Sequence, residues 1–250
     1  MNDVPIRWSY VFVDRPLDRF DLSSAFWTSV TGTHLSERRG DRGEFATLLP
    51  PAGDACVKLQ GVEEGGGAHP DFAVDDIDAF VRKAEELGGG VVFAEPGLVV
   101  MRSPAGQPFC VVSWQGEAVR PGVVEGPEGS YSRLDQICVD LAPAAYDTEP
   151  AFWAALTGWE WGASSLPEFQ RVAPGSDLPL RILFQRLEED RPTSAHLDLA
   201  CSDVDAVRTW HEQLGAVLVA RFPYWTVMRD PAGALYCLTS RDPHTGNSRG

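Results

Sequence analysis

The feature of this sequence that most constrains its fold is an internal duplication. Three blocks recur in the same order with almost the same offset; they are residues 25–32 with 151–158, 69–80 with 196–207, and 101–110 with 228–237. The last block reads MRSPAGQPFC in its first copy and MRDPAGALYC in its second, so six of its ten positions are identical. Ordered blocks at a fixed period indicate two homologous units rather than one continuous domain.

Composition separates the two copies along the chain. We predict a first domain over residues 5–116 and a second over residues 131–241. The intervening residues 117–130 are rich in Gly, Pro and Glu, a composition typical of interdomain linkers. Residues 242–250 are polar and terminal, so we expect this tail to fray.

Each copy contains two helical segments flanked by strand-like apolar runs. Apolar residues recur at helical spacing over residues 77–87, and Asp75 or Asp76 is placed to cap that helix. Ser23 and Thr148 are candidate caps of two shorter helices. The Ser-Pro-Ala-Gly or Asp-Pro-Ala-Gly tetrapeptide near the end of each copy fits a type I turn and predicts a hairpin. The order of these elements predicts an α+β chain of four βαβββ modules.

Charge and cysteine content restrict the partners and the location. The net charge is −15 and no basic stripe is present, so we expect no nucleic-acid partner, whereas a cationic small molecule would be attracted. No apolar run reaches the roughly 20 residues that span a bilayer, and the N-terminus lacks the features of a signal peptide. The five cysteines are widely spaced and odd in number, which argues against a disulfide framework. We therefore expect a cytoplasmic protein with reduced thiols and no membrane attachment.

Several groups of residues carry a resemblance to a known superfamily. They are Ala25-Phe26-Trp27 with Gly32, the strand-to-helix joins HPDFAVDD and HLDLACSD, the two Pro-Ala-Gly turns, and Phe184-Gln185-Arg186 followed by HLDL. In this order, and duplicated, they resemble the vicinal oxygen chelate superfamily of glyoxalase I, extradiol dioxygenases and bleomycin-resistance proteins. The subgroup that they most resemble is the glyoxalase-like domain of actinobacterial type. The resemblance covers both copies and implies two tandem glyoxalase-like domains, whose curled mixed sheets surround cavities.

The same resemblance implies where a metal would bind. Metal-using members place four ligands, ending in a carboxylate, on the first, fourth, fifth and eighth strands of a domain. The matching positions are at or near Gln136, Gln185, His196 and Cys237 in the second copy, and Tyr10, Gln60, His69 and Cys110 in the first. A cysteine therefore stands where the family has its last carboxylate, although hard divalent ions prefer oxygen ligands. We expect no catalytic metal and no other cofactor; a bound divalent ion would have to use Gln136, His196 and Cys237, a set that suits Zn²⁺.

Strand alternation singles out a histidine and an aspartate in each copy. His196 and Asp198 lie on one side of their strand and Leu197 and Leu199 on the other, and His69 heads the matching strand of the first copy. His196 is the candidate catalytic residue, as a general acid or base. The alternative is a histidine satisfied by neighbouring groups, which we favour for His69.

The predicted ligand-contacting residues share a position on these strands or an aromatic ring beside them. They are His69, Gln60, Gln136, Gln185, His196, Asp198, Trp225 and Cys237. Trp225 belongs to the set because an indole ring can stack on a flat ligand, although it could equally cover an interface.

Three functions remain open from the sequence. The leading hypothesis is a glyoxalase- or bleomycin-resistance-like protein that binds a small organic molecule, planar or cationic, without a catalytic metal. The alternative is a lyase, isomerase or dioxygenase-type enzyme that uses His196 with or without a divalent metal, because the fold does not choose among chemistries. A third hypothesis is an interaction protein whose cavities are filled by its eight tryptophans. The duplication allows a monomer as readily as a homodimer.

Overall fold

The structure is a computed structural model of the chain and describes residues 4–164, 166–175 and 178–247. Its α-helices are α1 Phe20–Thr31, α2 Ile77–Glu86, α3 Glu149–Thr157 and α4 Val204–Gln213. No helix in these described ranges is long and apolar enough to cross a membrane. Helices and strands alternate as predicted, so the α+β assignment is confirmed.

The strands form two sheets, and neither sheet is closed. The first sheet contains β1 Ile6–Pro16, β2 His34–Leu35, β3 Phe45–Leu49, β4 Val57–Val62, β5 Gly67–Val74, β6 Gly90–Glu95, β7 Leu98–Arg102 and β8 Pro108–Ser113. The second contains β9 Val124–Glu125, β10 Tyr131–Leu141, β11 Glu160–Ala163, β12 Phe169–Ala173, β13 Arg181–Arg186, β14 Ser194–Cys201, β15 Val217–Arg221, β16 Trp225–Arg229 and β17 Leu235–Thr239. The order is β2-β3-β4-β1-β5-β8-β7-β6 in the first sheet and β11-β12-β13-β10-β14-β17-β16-β15 in the second, with β9 beside β10.

This element order contains the four predicted βαβββ modules. Each module has one strand, one helix and three further strands, and each sheet takes the strands of two modules. Both sheets are mixed, because β5 pairs with β8 and β14 pairs with β17 in parallel whereas the hairpin strands are antiparallel. The predicted Pro-Ala-Gly turns close the β7–β8 and β16–β17 hairpins, where Gly106 N donates to Ser103 O and Gly233 N donates to Asp230 O, each at 2.9 Å.

The chain also divides into two compact units, and each unit takes segments from both sequence copies. The first compact unit comprises the residues up to Val11, His69–Val119 and Ile137–Ala195. The second compact unit comprises Phe12–Ala68, Arg120–Gln136 and the residues from His196 onward. Accordingly α2 and α3 belong to the first unit, and α1 and α4 belong to the second.

A buried ion pair lies at the centre of the second compact unit. Asp230, in the turn between β16 and β17, accepts hydrogen bonds from Arg15 Nε at 2.6 Å and from Trp27 Nε1 at 3.1 Å. The rings of Trp27 and Tyr236 meet edge to face, and His211 Nδ1 lies 2.9 Å from the Tyr236 hydroxyl. Burial lowers the pKa of His211 to about 3, so this histidine is a neutral core residue.

In the first compact unit the indole N–H of the helix tryptophan also donates to a carboxylate, but that carboxylate belongs to a glutamate on the same helix. Trp153 Nε1 donates to Glu149 Oε1 at 2.8 Å, and Ala105 N, in the turn between β7 and β8, donates to Glu149 Oε2 at 2.9 Å. The turn position that holds an aspartate in the second copy is Ser103 here. Trp159 packs edge to face against Phe72 in the same aromatic core.

Of the helix caps predicted from the sequence, the structure confirms the aspartate before α2 and corrects the two at the shorter helices. Asp76 caps α2, because its side chain accepts from Ala79 N at 2.9 Å. Ser23 does not cap α1, since the helix already begins at Phe20 after a short 3-10 turn and buries Ser23 inside it. Thr148 occupies the residue before α3, but its hydroxyl donates back to Ala145 O and caps nothing.

The last described residues form a hydrogen-bonded turn. Asp242 Oδ1 accepts from the backbone nitrogens of His244 and Thr245, and Gly246 N donates to Asp242 O at 2.6 Å. Residues 248–250 of the tail predicted to fray lie outside the described residues.

Candidate functional site

Three predicted site residues meet on two neighbouring strands of the second compact unit. The parallel register places Asp198 of β14 beside Cys237 of β17, and His196 lies two residues before Asp198. A ring nitrogen of His196, a carboxylate oxygen of Asp198 and Cys237 Sγ all lie within 4.8 Å of one another. Leu197 and Leu199 are fully buried on the opposite side of β14, as the alternation predicted. We call His196, Asp198 and Cys237 the second cluster.

A glutamine on a third strand donates a hydrogen bond to the aspartate of the second cluster. Gln136 Nε2, on β10, donates to Asp198 Oδ2 at 2.6 Å. The other oxygen, Oδ1, is buried without a hydrogen-bond partner and lies 3.5 Å from His196 Nε2, which is an ion-pair distance. Burial raises the pKa of the Asp198 carboxyl, and the His196 and Arg241 charges and the Gln136 hydrogen bond oppose that rise. A proton, a cation or a donor group of a ligand would therefore be stabilised at Oδ1.

A second buried ion pair holds the strand that carries Gln136. Arg241 Nη1 donates to Asp135 Oδ2 at 2.9 Å, and Arg241 Nη2 donates to Asp135 Oδ1 at 2.5 Å. Such a two-point contact fixes both partners in orientation. Sequence reasoning missed this pair, because its members are 106 residues apart and no local pattern connects them.

The first compact unit contains a matching first cluster of His69, Asp71 and Cys110. The register again places Asp71 beside Cys110, the three donor atoms lie within 4.8 Å of one another, and His69 Nε2 lies 3.7 Å from Asp71 Oδ1. Tyr10 holds the place that Gln136 has in the second copy, and its hydroxyl donates to Glu117 Oε1. The two clusters therefore share a backbone arrangement but differ in their polar partners.

The segment that carries Glu117 folds back after β8. Trp114 Nε1 donates to Glu117 O at 3.0 Å, and the Arg7 guanidinium lies 4.5 Å from the centre of the Trp114 ring. Sequence reasoning missed Glu117, which it assigned to the linker. A carboxylate in a Gly/Pro/Glu-rich segment gives no signal of a specific contact.

The remaining predicted residues lie on strands other than those that carry the two clusters. Gln60 lies on β4 in the second compact unit, opposite Phe45, whereas its own copy's His69 is in the first. Gln185 lies on β13 in the first compact unit, whereas His196 is in the second. Trp225 begins β16 in the second compact unit, where its ring stacks on Phe222.

Comparison with known proteins identifies the family. The family model of the glyoxalase-like domain matches residues 10–112 and 136–239, which together are most of the chain. The chain belongs to this glyoxalase-like domain family. Both sequence copies match, so the expected tandem arrangement is confirmed. No curated protein matches the sequence.

Solved structures with the same fold belong to the vicinal oxygen chelate superfamily, as the resemblance implied. The Mn(II)-bound glyoxalase from Novosphingobium aromaticivorans aligns with a TM-score of 0.69 and 17% identity, over 94% of this chain and 82% of that one. The 2,2',3-trihydroxybiphenyl 1,2-dioxygenase from Sphingomonas wittichii aligns with a TM-score of 0.60 and 16% identity, over 92% of this chain and 88% of that one. At such low identities, these alignments show that the glyoxalase-like protein shares its fold with both enzymes.

The glyoxalase from Novosphingobium aromaticivorans is bound to Mn(II), and the donors of the second cluster can be compared with what a divalent ion requires. One nitrogen, one carboxylate oxygen and one sulfur lie within 4.8 Å of one another, and Asp198 Oδ1 is a buried oxygen without a hydrogen bond. This mixed donor set suits a borderline ion such as Zn²⁺ better than ions that prefer oxygen ligands. His196, Asp198 and Cys237 are therefore the residues that would hold an ion in the second cluster.

Proposed function

We propose that this glyoxalase-like protein binds a small organic molecule at the second cluster and does not require a metal to do so. The observation that supports this proposal is the hydrogen bond from Gln136 to Asp198 together with the close approach of His196 to the same carboxylate. Gln136 occupies one carboxylate oxygen at 2.6 Å, and the imidazole faces the other at 3.5 Å. Partners of this kind offset part of the cost of burying the carboxylate, and Oδ1, which has no hydrogen bond, is left for a donor group of the ligand.

The identity of the remaining donor supports the same conclusion. Cys237 stands where metal-using relatives have a carboxylate, so the oxygen ligand that hard divalent cations prefer is absent from that position. His196 retains a partly exposed side chain beside the buried aspartate, so its ring can contact a ligand. The net charge of −15 favours a neutral or cationic ligand over an anionic one.

A metal-dependent enzyme is the second candidate, because the donors of the second cluster lie within 4.8 Å of one another. An ion bound there would polarise an oxygen of the substrate as a Lewis acid. The protein's own contribution would be to hold the ion through His196, Asp198 and Cys237. In a metal-free enzyme, His196 beside Asp198 would instead serve as the general acid or base. Lyase, isomerase and dioxygenase-type reactions all remain open to this arrangement.

One experiment separates the two candidates. The metal content of the purified full-length chain is measured, and a library of planar and cationic metabolites is screened by thermal shift before and after chelation. We expect far less than one metal ion per chain and ligand shifts that chelation leaves intact. Stoichiometric metal, together with loss of the ligand shifts on chelation, would instead establish the enzyme candidate.

Matched histidine variants locate the binding. His196→Ala is expected to abolish the ligand shifts, whereas His69→Ala, at the corresponding place in the first cluster, is expected to leave them intact. Equal losses in both variants would contradict an assignment to the second cluster.

Location and partners complete the proposal. None of the five cysteines, all of which the structure describes, is in a disulfide, and this supports a reducing compartment such as the cytoplasm. We propose a small-molecule ligand as the partner, with neither nucleic acid nor a membrane, in a chain that is a monomer or a homodimer. Light scattering on the purified protein decides between these two states.

A further inference from the structure

A stacked aromatic pair marks the hairpin between β15 and β16 in the second compact unit. The rings of Phe222 and Trp225 are 4.6 Å apart at an angle of 14°. Phe222 is 47% exposed and Tyr224 between them is 58% exposed. Large exposed aromatic side chains that lie together are unusual on a protein surface unless they bind something.

The hairpin holds these rings in a defined position. Phe222 N donates to Trp225 O at 2.8 Å and closes the two-residue loop. The loop is tied to the segment after β17, because Ser240 N donates to Tyr224 O at 3.1 Å. A ligand that stacks here would therefore meet a preformed surface and would lose little affinity to loop ordering.

The sheet register places Trp225 on the same face as the second cluster. Val227 pairs with Cys237, which pairs with Asp198, and Trp225 lies two residues before Val227 on β16. Directly paired residues share a face of a sheet, and so do residues two apart on a strand. Thr226 between them is buried on the opposite face. One continuous face thus runs from Asp198 to Trp225.

The size of this face indicates the kind of molecule that it fits. Asp198 on β14 and Trp225 on β16 are separated by the single strand β17, and two strand spacings correspond to about 10 Å across the sheet. That distance exceeds a single aromatic ring and is close to the length of a fused polycyclic system. Val227 lies between the two ends and offers an apolar, partly exposed floor.

The first sequence copy shows that the fold does not require aromatic residues at this hairpin. At the same offset of 127, the first copy has Glu95 for Phe222, Gly97 for Tyr224 and Leu98 for Trp225. Glu95 and Leu98 pair across the β6–β7 hairpin, so the backbone is built equally well without the rings. The aromatic residues of the second copy are therefore surplus to the requirements of folding.

We propose that Phe222 and Trp225 form a stacking subsite for a planar, polycyclic aromatic amine, whose amine end is bound at Asp198. The inference rests on the proposed function and specifies its ligand. Asp198 Oδ1 is a buried acceptor without a hydrogen-bond donor, so an N–H donor of a cationic ring system, such as an amino group of a protonated aminoacridine, can satisfy it. Flat rings stack favourably on the exposed aromatic faces, and the acidic chain attracts the cation.

Two probe amines test this proposal on the full-length protein. Proflavine is a flat tricyclic diamine, and 1-aminoadamantane carries an amine on a non-planar cage. Binding is measured at about 0.15 M salt, which screens nonspecific attraction to the acidic surface. We expect proflavine to bind and 1-aminoadamantane not to bind. Equal binding of both probes would overturn the proposal.

Variants that restore the first copy's residues identify the subsite without threatening the fold. Trp225→Leu is expected to weaken proflavine binding roughly tenfold, and Phe222→Glu is expected to weaken it as well. Asp198→Asn is expected to weaken it by loss of the charged acceptor. Trp161→Leu, at another exposed tryptophan, is the matched control and is expected to have no effect.

The outcomes separate the subsite from the proposed function. If proflavine binding depends on His196 or Asp198 but not on Trp225, the stacking subsite is wrong and the proposed function stands. Binding that depends on Trp225 but not on Asp198 refutes the amine assignment. If metabolites shift the melting temperature through His196 while proflavine does not bind, the ligand class is wrong. If no ligand depends on His196, the proposed function itself fails.

Discussion

Replacing Asp230 by asparagine should destabilise the second compact unit by about 3–5 kcal/mol, the usual cost of removing one partner of a buried ion pair. The Asp230 side chain is fully buried, and so is that of its partner Arg15. Asp230 Oδ2 accepts from Arg15 Nε and from Trp27 Nε1, while Oδ1 accepts from Ala232 N at 3.0 Å and Ala234 N at 3.1 Å. Asparagine keeps the shape but leaves the guanidinium charge uncompensated.

A second change should recover most of the loss. In the double variant Arg15→Met, Asp230→Asn neither charge of this pair remains, and replacing both members of such a pair is often neutral. Glu149→Gln in the first compact unit is the matched control. Glu149 accepts from an indole and a backbone nitrogen as Asp230 does, but no ion pair to it is present among the described residues. Its loss is expected to be only about 1 kcal/mol.

Urea unfolding with hydrogen exchange on each unit measures these differences, because the two compact units need not unfold together. We expect Asp230→Asn to lower the free energy of unfolding of the second unit alone by a large amount, and the double variant to lower it by less. A double variant as unstable as the single one would refute the assignment of the cost to an unpaired buried charge. A single variant within about 1 kcal/mol of the parent would refute it as well.

Four further outcomes can be measured on the same protein. Burial lowers the pKa of His211 from 6.5 to about 3. Its contribution to stability is therefore present above pH 6.5 and is lost on acidification, at about 1.4 kcal/mol per pH unit, down to about pH 3. The urea midpoint should depend less on pH between these two values in the His211→Leu variant than in the parent. Burial raises the pKa of Glu149, so its contribution is present below 4.5 and is lost as pH rises through the raised pKa, a loss that Glu149→Gln should remove. Gln136→Leu should cost about 1–3 kcal/mol by removing a buried donor, and an unchanged urea midpoint would contradict that hydrogen bond. Tyr10→Phe should release Glu117, so faster hydrogen exchange over residues 114–117 is expected, and unchanged exchange would count against the contact.

The duplication explains why so much of the fold could be predicted from one sequence. Each repeated block contains residues that specify local structure. They are an aspartate that caps α2, a Pro-Ala-Gly turn between two strands, and a glycine that follows α1 and another that follows α3. These signals act within a few residues, so they can be recognised without knowledge of the fold. Ser23 was misjudged because a preceding 3-10 turn moved the helix start upstream, and boundaries are the least certain part of such predictions.

The candidate site was predictable only in part, for a related reason. His196 and Asp198 could be placed on one face because strand alternation is a local rule. Their partners come from distant parts of the chain: Gln136 is 62 residues from Asp198, and Arg241 is 106 residues from Asp135. Whether a buried carboxylate meets an amide, an arginine or an ion depends on such long-range pairing, which no single segment encodes.

The two copies show that one backbone frame can carry different chemistry. Trp27, on the helix of the first copy, donates to Asp230 in the turn of the second copy, whereas Trp153, on the helix of the second copy, donates to Glu149 on that same helix. The clusters diverge in the same way, because Gln136 binds the aspartate of the second, whereas Tyr10 in the corresponding place binds Glu117. A buried polar group must be satisfied, but the frame leaves open which residue satisfies it. Function in this chain therefore has to be assigned copy by copy, and a ligand that depends on the amide of Gln136 should bind once per chain despite the duplication.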